Sequence, residues 1–110
     1  MACHSILDLE PRPTAVLAVV DELALCLLDV AAERDVLIPD ELSVIGFDNL
    51  PVSAYAKPPL STFDHEPGVS AAHVADMLAN QIDMPGDLKE TLLAPARFIS
   101  RGSHGPAATF

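Results

Sequence analysis

The sequence predicts an α/β domain built around parallel strands. Half of its residues are hydrophobic and only 5% are aromatic, so we expect a core of mainly aliphatic side chains. The apolar run at residues 14–20 (TAVLAVV) has no period of two, which is typical of a parallel strand covered on both faces. A helical segment and a second apolar run at residues 42–47 follow it, and together they predict one βαβ unit with a right-handed crossover.

The other elements follow from apolar periodicity and from residues that end helices and strands. The predicted helices cover residues 2–10, 22–34 and 67–82, and the predicted strands cover residues 14–20, 42–47, 60–64 and 91–99. Pro11 and Pro13 end the first helix because their rings exclude a helical continuation. Asp21 is expected to cap the second helix by accepting from the free amides of its first turn. Residues 102–110 are expected to fray.

The second helix is apolar over more than half of its circumference. The stripe expected to face the sheet contains Leu23, Leu27, Val30 and Ala31. Leu25 and Leu28 lie outside this stripe, so we expect the helix to be buried on two sides, with the sheet below and another surface above. In the third helix the core candidates are Val69, Ala72, Leu78 and Ile82.

The charge balance argues against direct contact with nucleic acid. Asp and Glu number 16 against 6 Lys and Arg, and the basic residues are scattered along the chain. No basic patch is therefore expected to neutralise phosphates. An acidic balance of this kind more often indicates a soluble surface than a docking site for a cationic partner.

Neither cofactors, metals nor membranes are expected as partners. Cys3 and Cys26 lack the number and spacing of a disulfide framework or a zinc site, so we expect free thiols in a reducing cytoplasm. The glycines are dispersed and form no phosphate-binding loop. No apolar run approaches the roughly 20 residues of a membrane helix, and no secretory signal is recognised.

Polar residues at the ends of the predicted parallel strands are the candidate site. Ligands of open parallel sheets bind outside the carboxyl ends of the strands, where Asp21 follows the first strand and Asp48 and Asn49 follow the second. Asp48 is the main candidate, although the same carboxylate could instead fix the turn that follows it. For Asp21, capping is favoured over ligand contact. His65, just past the third strand, is a further candidate for a cleft wall.

Catalytic residues are not expected. No Ser/His/Asp or Cys/His arrangement can be placed, and no nucleophile or cofactor motif accompanies the acidic residues. A small α/β enzyme that uses Asp48 and His65 as an acid/base pair is therefore the least favoured class of protein for this sequence.

Three stretches together resemble the closing third of bacterial regulators of the LacI/GalR family. They are PTAVLAVVDELAL, IPDELSVIGFDNLPVSAYAKPPLSTFDHEP and ARFISRGS, and their order and spacing match the family pattern over roughly residues 11 to 103. Many ordered matches are far more specific than any single motif.

The resemblance implies the type I fold of periplasmic-binding-protein-like domains, a parallel-sheet α/β sandwich of two lobes that clasp a small molecule. Residues 14–62 and 91–102 would belong to the C-terminal lobe and residues 63–90 to the N-terminal lobe, with residues 103–110 as a tail. No DNA-binding domain is expected among these residues. The chain would supply only part of the fold, so we expect exposed strand edges and marginal stability.

The resemblance also implies a role for each site residue. The aspartate of the family's G-(F/Y)-D motif commonly contacts the ligand, and it corresponds to Asp48. Val20 stands where the family commonly has a ligand-contacting Asn, and His65 stands where it often has Gln. Asp35 replaces a frequent Gly after the second helix, at a modest cost in a left-handed cap.

The function implied is the sensing of a sugar or nucleoside-like effector by a cytoplasmic repressor that binds DNA through another domain. A homodimer is expected through the C-terminal lobe, with Leu25, Leu28 and Tyr55 in the interface. Leu25→Asp and Leu28→Asp in the full-length regulator would then give monomers in sedimentation. The alternative is part of a periplasmic solute-binding protein that serves a sugar transporter.

Overall fold

A computed structural model describes residues 2–86 and 91–109, and its elements follow the predicted order. The helices are α1 (Ala2–Leu7), α2 (Asp21–Glu33) and α3 (Pro67–Asp83), with a 3-10 helix at Pro51–Tyr55. The strands are β1 (Ala15–Leu17), β2 (Ser43–Ile45), β3 (Thr62–Asp64) and β4 (Arg97–Ile99). Each strand is shorter than predicted, because an apolar run extends beyond the residues that find a partner strand. The end of the predicted N-terminal-lobe segment, residues 87–90, lies outside the described residues.

The chain divides into two units. The first contains the described residues among 1–64 and 98–110, and the second contains those among 65–97. The second unit is mainly α3, in which no residue is buried, so the core prediction for that helix is wrong. Its expected core residues are all exposed: Val69, Ala72, Leu78 and Ile82.

The predicted βαβ unit is present in the first unit. β1 and β2 are parallel, with Ala15 opposite Ser43 and Leu17 opposite Ile45. A further parallel bridge joins Ile45 to Ser61, directly before β3, and β3 pairs with β4. The carboxyl ends of β1, β2 and β3 therefore lie at the same edge, where the sequence predicts a site.

β1 is covered on one face by the described residues, not on two as predicted, whereas in β2 the adjacent Ser43 and Val44 are both buried. Val16 and Ala18 pack against the core. Leu17, which lies between them, is 67% exposed, and Val19, which follows them, is 75% exposed. This alternation follows from the period of two in a strand, since only every second side chain of β1 faces the core.

The buried stripe of α2 differs from the predicted one at a single predicted residue. Leu27, Val30 and Ala31 are buried as expected, but Leu23 is 48% exposed and Ala24 is fully buried in its place. Leu28 is 4% exposed and completes the regular helical spacing of Ala24, Leu27 and Ala31. The chain itself therefore explains why Leu28 is apolar, and a second copy is not needed to account for it.

The second surface that covers α2 is α1. Cys3 of α1 is buried, and its Sγ lies 3.9 Å from the carbonyl oxygen of Leu23. At the other end of α2 the Arg34 guanidinium donates to Asp8 and contacts His4 at 3.1 Å. Asp35 follows with a φ of 55°, so the left-handed conformation expected at this position is confirmed.

The C-terminal segment is not frayed at its start, contrary to the prediction. Ser103 is fully buried, its Oγ donates to the carbonyl of Val44 at 2.6 Å, and it accepts from the amide of Ser61 at 2.8 Å. The amide of Gly105 donates to Ser43 Oγ at 3.0 Å. Residues 103–105 thus run beside β2 because their polar groups satisfy backbone groups of the sheet. Within the described ranges, no helix has the length and apolar character needed to span a membrane.

Candidate functional site

The turn that follows β2 has an unusual backbone. Asp48 and Asn49 have φ values of 119° and 54°, in a region that L-residues rarely adopt, and both side chains are half-buried. The amide of Asp48 donates to the carbonyl of Phe63 at 2.9 Å, which ties the end of β2 to β3. Consecutive residues of this kind persist only where the surroundings hold them, and they concentrate at functional sites. We refer to Asp48 and Asn49 as the 48–49 turn.

The side chain of Asn49 is held at both of its polar atoms. Its Nδ2 donates to Asp64 Oδ2 at 3.1 Å, and its Oδ1 accepts from Arg101 Nη2 at 2.8 Å. The rings of Phe47 and Phe63, which precede the 48–49 turn and Asp64, stack with centroids 6.0 Å apart. The ends of β2 and β3 are thereby locked side by side.

Asp21 supports the same turn from the interior. It is fully buried, its Oδ2 accepts from the amide of Leu50 at 2.8 Å, and its Oδ1 accepts from Thr62 Oγ1 at 2.6 Å. Its predicted capping role is wrong, because the N-cap of α2 is Val20 and no side chain caps that end. The carboxylate bonds to the loop and to β3 instead, so it holds the turn and presents no open surface to a ligand.

Gly46 makes room for this carboxylate. A Cβ atom built on Gly46 would overlap Oδ1 of Asp21 and would also lie 3.1 Å from the Leu60 side chain. The glycine that the sequence places two residues before Asp48 is therefore a packing requirement of the site.

The relation to known proteins agrees with this architecture. A profile described as periplasmic binding protein-like domain matches residues 2–104. The chain belongs to this family. Among its relatives, the HTH-type transcriptional repressor PurR of Vibrio atlanticus is 42% identical over 67 residues, which are 61% of this chain and 20% of that protein. The arabinose metabolism transcriptional repressor of Halalkalibacterium halodurans is 34% identical over 105 residues, covering 91% and 28% of the two chains.

A solved structure shows the same fold. The LacI family transcriptional regulator from Enterococcus faecium with bound ribose aligns with a TM-score of 0.80 at 33% identity, over 94% of this chain and 38% of that one. The predicted likeness to LacI/GalR effector-binding domains is confirmed, as is the partial α/β fold. The chain spans between a fifth and two fifths of the length of these relatives.

The periplasmic binding protein-like domain brings together four of the five predicted ligand residues. Val20, Asp21, Asp48 and Asn49 all lie at one edge of the first unit, where the amide of Asp21 also donates to the carbonyl of Phe47 at 2.9 Å. His65 begins the second unit and is half-buried, with its carbonyl accepting from Ser70 Oγ at 3.2 Å. A ligand role for His65 stays a prediction.

One serine and one histidine do meet in this domain, although the sequence shows no such pair. Ser61 Oγ lies 2.7 Å from His104 Nδ1, yet Ser61 is fully buried and its Oγ also accepts from the amide of Arg101. A substrate cannot reach this hydroxyl, so the pair is structural. Among residues 2–86 and 91–109, no three His, Cys, Asp or Glu side chains converge as metal ligands would.

Sequence reasoning missed Thr62, Asp64 and Arg101 as parts of the site. Asp64 stands directly before His65 at the end of a predicted strand, which is the same signal that singles out Asp48. Arg101 stands in the RGS that ends the third family stretch, where it serves only as a marker of the resemblance. Its contacts with Asn49 could not be read from the sequence.

Proposed function

We propose that the protein is the effector-sensing part of a transcriptional repressor of the LacI/GalR type, with a small carbohydrate as effector. The observation that carries this proposal is the 48–49 turn, which holds the half-buried Asp48 at the carboxyl ends of parallel strands and is supported by hydrogen bonds to Asn49. The relatives are transcriptional repressors, and a similar regulator holds ribose. These likenesses favour a regulator over a transport protein or an enzyme.

Asp48 is the residue proposed to bind the effector directly. A carboxylate accepts hydrogen bonds from sugar hydroxyls, and such bonds discriminate best in a partly dry cleft. Val20, at the N-cap of α2, has an apolar side chain, and the polar side-chain atoms of Asn49 bond to Asp64 and Arg101, so we propose Asp48 as the main contact at this edge. Asp21 would act indirectly, by holding that turn.

D-ribose and D-arabinose are the probes for this proposal. Titration of the ¹⁵N-labelled protein with each sugar is expected to shift the amides of the 48–49 turn. Asp48→Asn should weaken binding about tenfold or more, because a hydrogen bond to a charged group contributes about 1.5 to 3 kcal/mol. Asp40→Asn, an equal change of charge at an exposed aspartate away from the turn, should bind like the wild type. Equal binding by both variants, or no shift with either sugar, would contradict the proposal.

A homodimer is part of the proposed function. Tyr55, on the 3-10 helix, is 83% exposed, and Leu25 is half-buried at the edge of the core. We propose that these two residues contribute to the interface, without Leu28. In sedimentation, Tyr55→Asp should give monomers, whereas Leu37→Asp, at another exposed apolar residue of the first unit, should leave the dimer intact. A wild-type monomer or a dimeric Tyr55→Asp variant would contradict this.

The repressor is proposed to act in the cytoplasm without catalysing a reaction. Contact with operator DNA would belong to a part of the regulator other than these residues, because the 6 basic side chains are outnumbered by 16 acidic ones. The effector would change operator affinity by favouring one arrangement of the regulator over another.

A further inference from the structure

Arg101 connects four separate parts of the first unit through its guanidinium and its amide. Nη1 donates to Ser53 Oγ and to the carbonyl of Leu60, each at 2.9 Å. Nη2 donates to Asn49 Oδ1 at 2.8 Å, and the backbone amide donates to Ser61 Oγ at 2.9 Å. The side chain therefore joins the 48–49 turn, the 3-10 helix and the entry to β3 to the C-terminal segment.

The geometry of these bonds requires an arginine. A guanidinium is planar and presents several N–H groups in fixed directions, so it can donate to acceptors in different segments at once. A lysine carries one compact ammonium on a flexible stem and cannot reproduce this fork. Hydrogen bonds from a charged donor are also stronger than neutral ones.

Asn49 transmits this restraint to Asp48. With Oδ1 fixed by Arg101 and Nδ2 fixed by Asp64, the side-chain amide has a single orientation. The backbone of Asp48 is then held between Asn49 and its own bond to the Phe63 carbonyl. Without Arg101 the left-handed conformation of Asn49 would lose one of its two side-chain restraints.

We propose that Arg101 is the positioning residue of the effector site: its guanidinium holds the 48–49 turn in the conformation in which Asp48 binds a sugar. The inference rests on the proposed function, and it adds a residue that does not itself touch the effector. It predicts that loss of the fork loosens the turn and weakens binding while the βαβ unit stays folded.

The experiment compares Arg101→Gln and Arg101→Lys with Arg34→Gln. The Arg34 variant makes the same change of charge as Arg101→Gln, but its guanidinium bonds to Asp8 and His4 at the far end of α2. Amide hydrogen exchange of the 48–49 turn and of Leu50 reports on the turn, and the amide of Ala18, which donates to Ile45 across the β1–β2 pair, reports on the fold. A D-ribose titration of each variant measures affinity.

Both Arg101 variants are expected to exchange about tenfold faster at the turn, with Ala18 protected as in the wild type. The affinity of both Arg101 variants for D-ribose should fall about tenfold. Arg34→Gln should change neither the exchange rate at the turn nor the affinity for D-ribose. Unchanged exchange at the turn in Arg101→Gln would overturn the proposal, and so would faster exchange with unchanged affinity for ribose. Wild-type exchange and affinity in Arg101→Lys would also overturn it. If the wild type does not bind ribose, the proposed effector class fails, and the exchange data still decide whether Arg101 holds the turn.

Discussion

Asp21 requires a glycine at position 46, because its carboxylate occupies the space in which any other residue there would place its Cβ atom. The glycine directly follows β2, and the aspartate begins α2. Their close approach allows one buried carboxylate to accept from Leu50 and Thr62 at once, which fixes the loop that carries Asp48.

Gly46→Ala is expected to destabilise the protein by about 1 to 3 kcal/mol, because the added methyl group overpacks a filled interior. Urea unfolding followed by circular dichroism measures the change. The matched control is Gly68→Ala in α3, where a Cβ atom meets nothing within 4 Å, and where alanine should be neutral or slightly stabilising. Equal stability of the two variants would show that the carboxylate can move aside.

Asp21→Asn is expected to cost about 1 to 3 kcal/mol, since one accepting oxygen becomes an amide that faces a hydrogen-bond donor. Thr62→Val should cost a similar amount, because it removes the hydroxyl that donates to Asp21. In a double-mutant cycle the two changes should be coupled by about 1 kcal/mol or more. Strict additivity in urea unfolding would argue that the bond contributes nothing to stability.

Ser103→Ala should destabilise the fold by about 1 to 3 kcal/mol, because it leaves the buried amide of Ser61 and the carbonyl of Val44 without this partner. Ser100→Ala, at an exposed serine three residues earlier, should change the free energy of unfolding by less than about 0.5 kcal/mol. If the two variants unfold at the same urea concentration, the C-terminal segment does not stabilise β2.

Leu28→Ala is expected to lower the free energy of unfolding by about 2 to 4 kcal/mol, as truncation of a buried leucine does. Leu23→Ala on the same helix should cost less, since Leu23 is 48% exposed. Urea unfolding separates the two variants, and sedimentation should show the same oligomeric state for both. If Leu28→Ala changes the oligomeric state but not the free energy of unfolding, Leu28 contributes to the dimer interface and not to the core.

The order of elements could be predicted because it depends on neighbouring residues. The apolar runs and breakers that define a βαβ unit lie within residues 14–47, and the predicted helix at residues 22–34 is observed as Asp21–Glu33. The exact face of α2 could not be predicted, because Leu23 and Ala24 are both apolar and only packing against β2 and α1 decides between them. The covering of β1 was overestimated for the same reason, since apolar composition does not reveal which partners are present.

The residues at the strand ends show most clearly what the sequence determines and what the tertiary structure decides. By itself the sequence determined that Asp48 and Asn49 follow a parallel strand, and the order of parallel strands brings such ends to one edge of the sheet. Only the tertiary structure decided that Asp21 supports the turn and that Arg101 holds it, because these bonds join residues 29 and 52 positions apart in the chain. Short-range patterns specify helices, strands and their succession, whereas the partner of a buried polar group depends on which distant segments the fold brings within hydrogen-bonding distance.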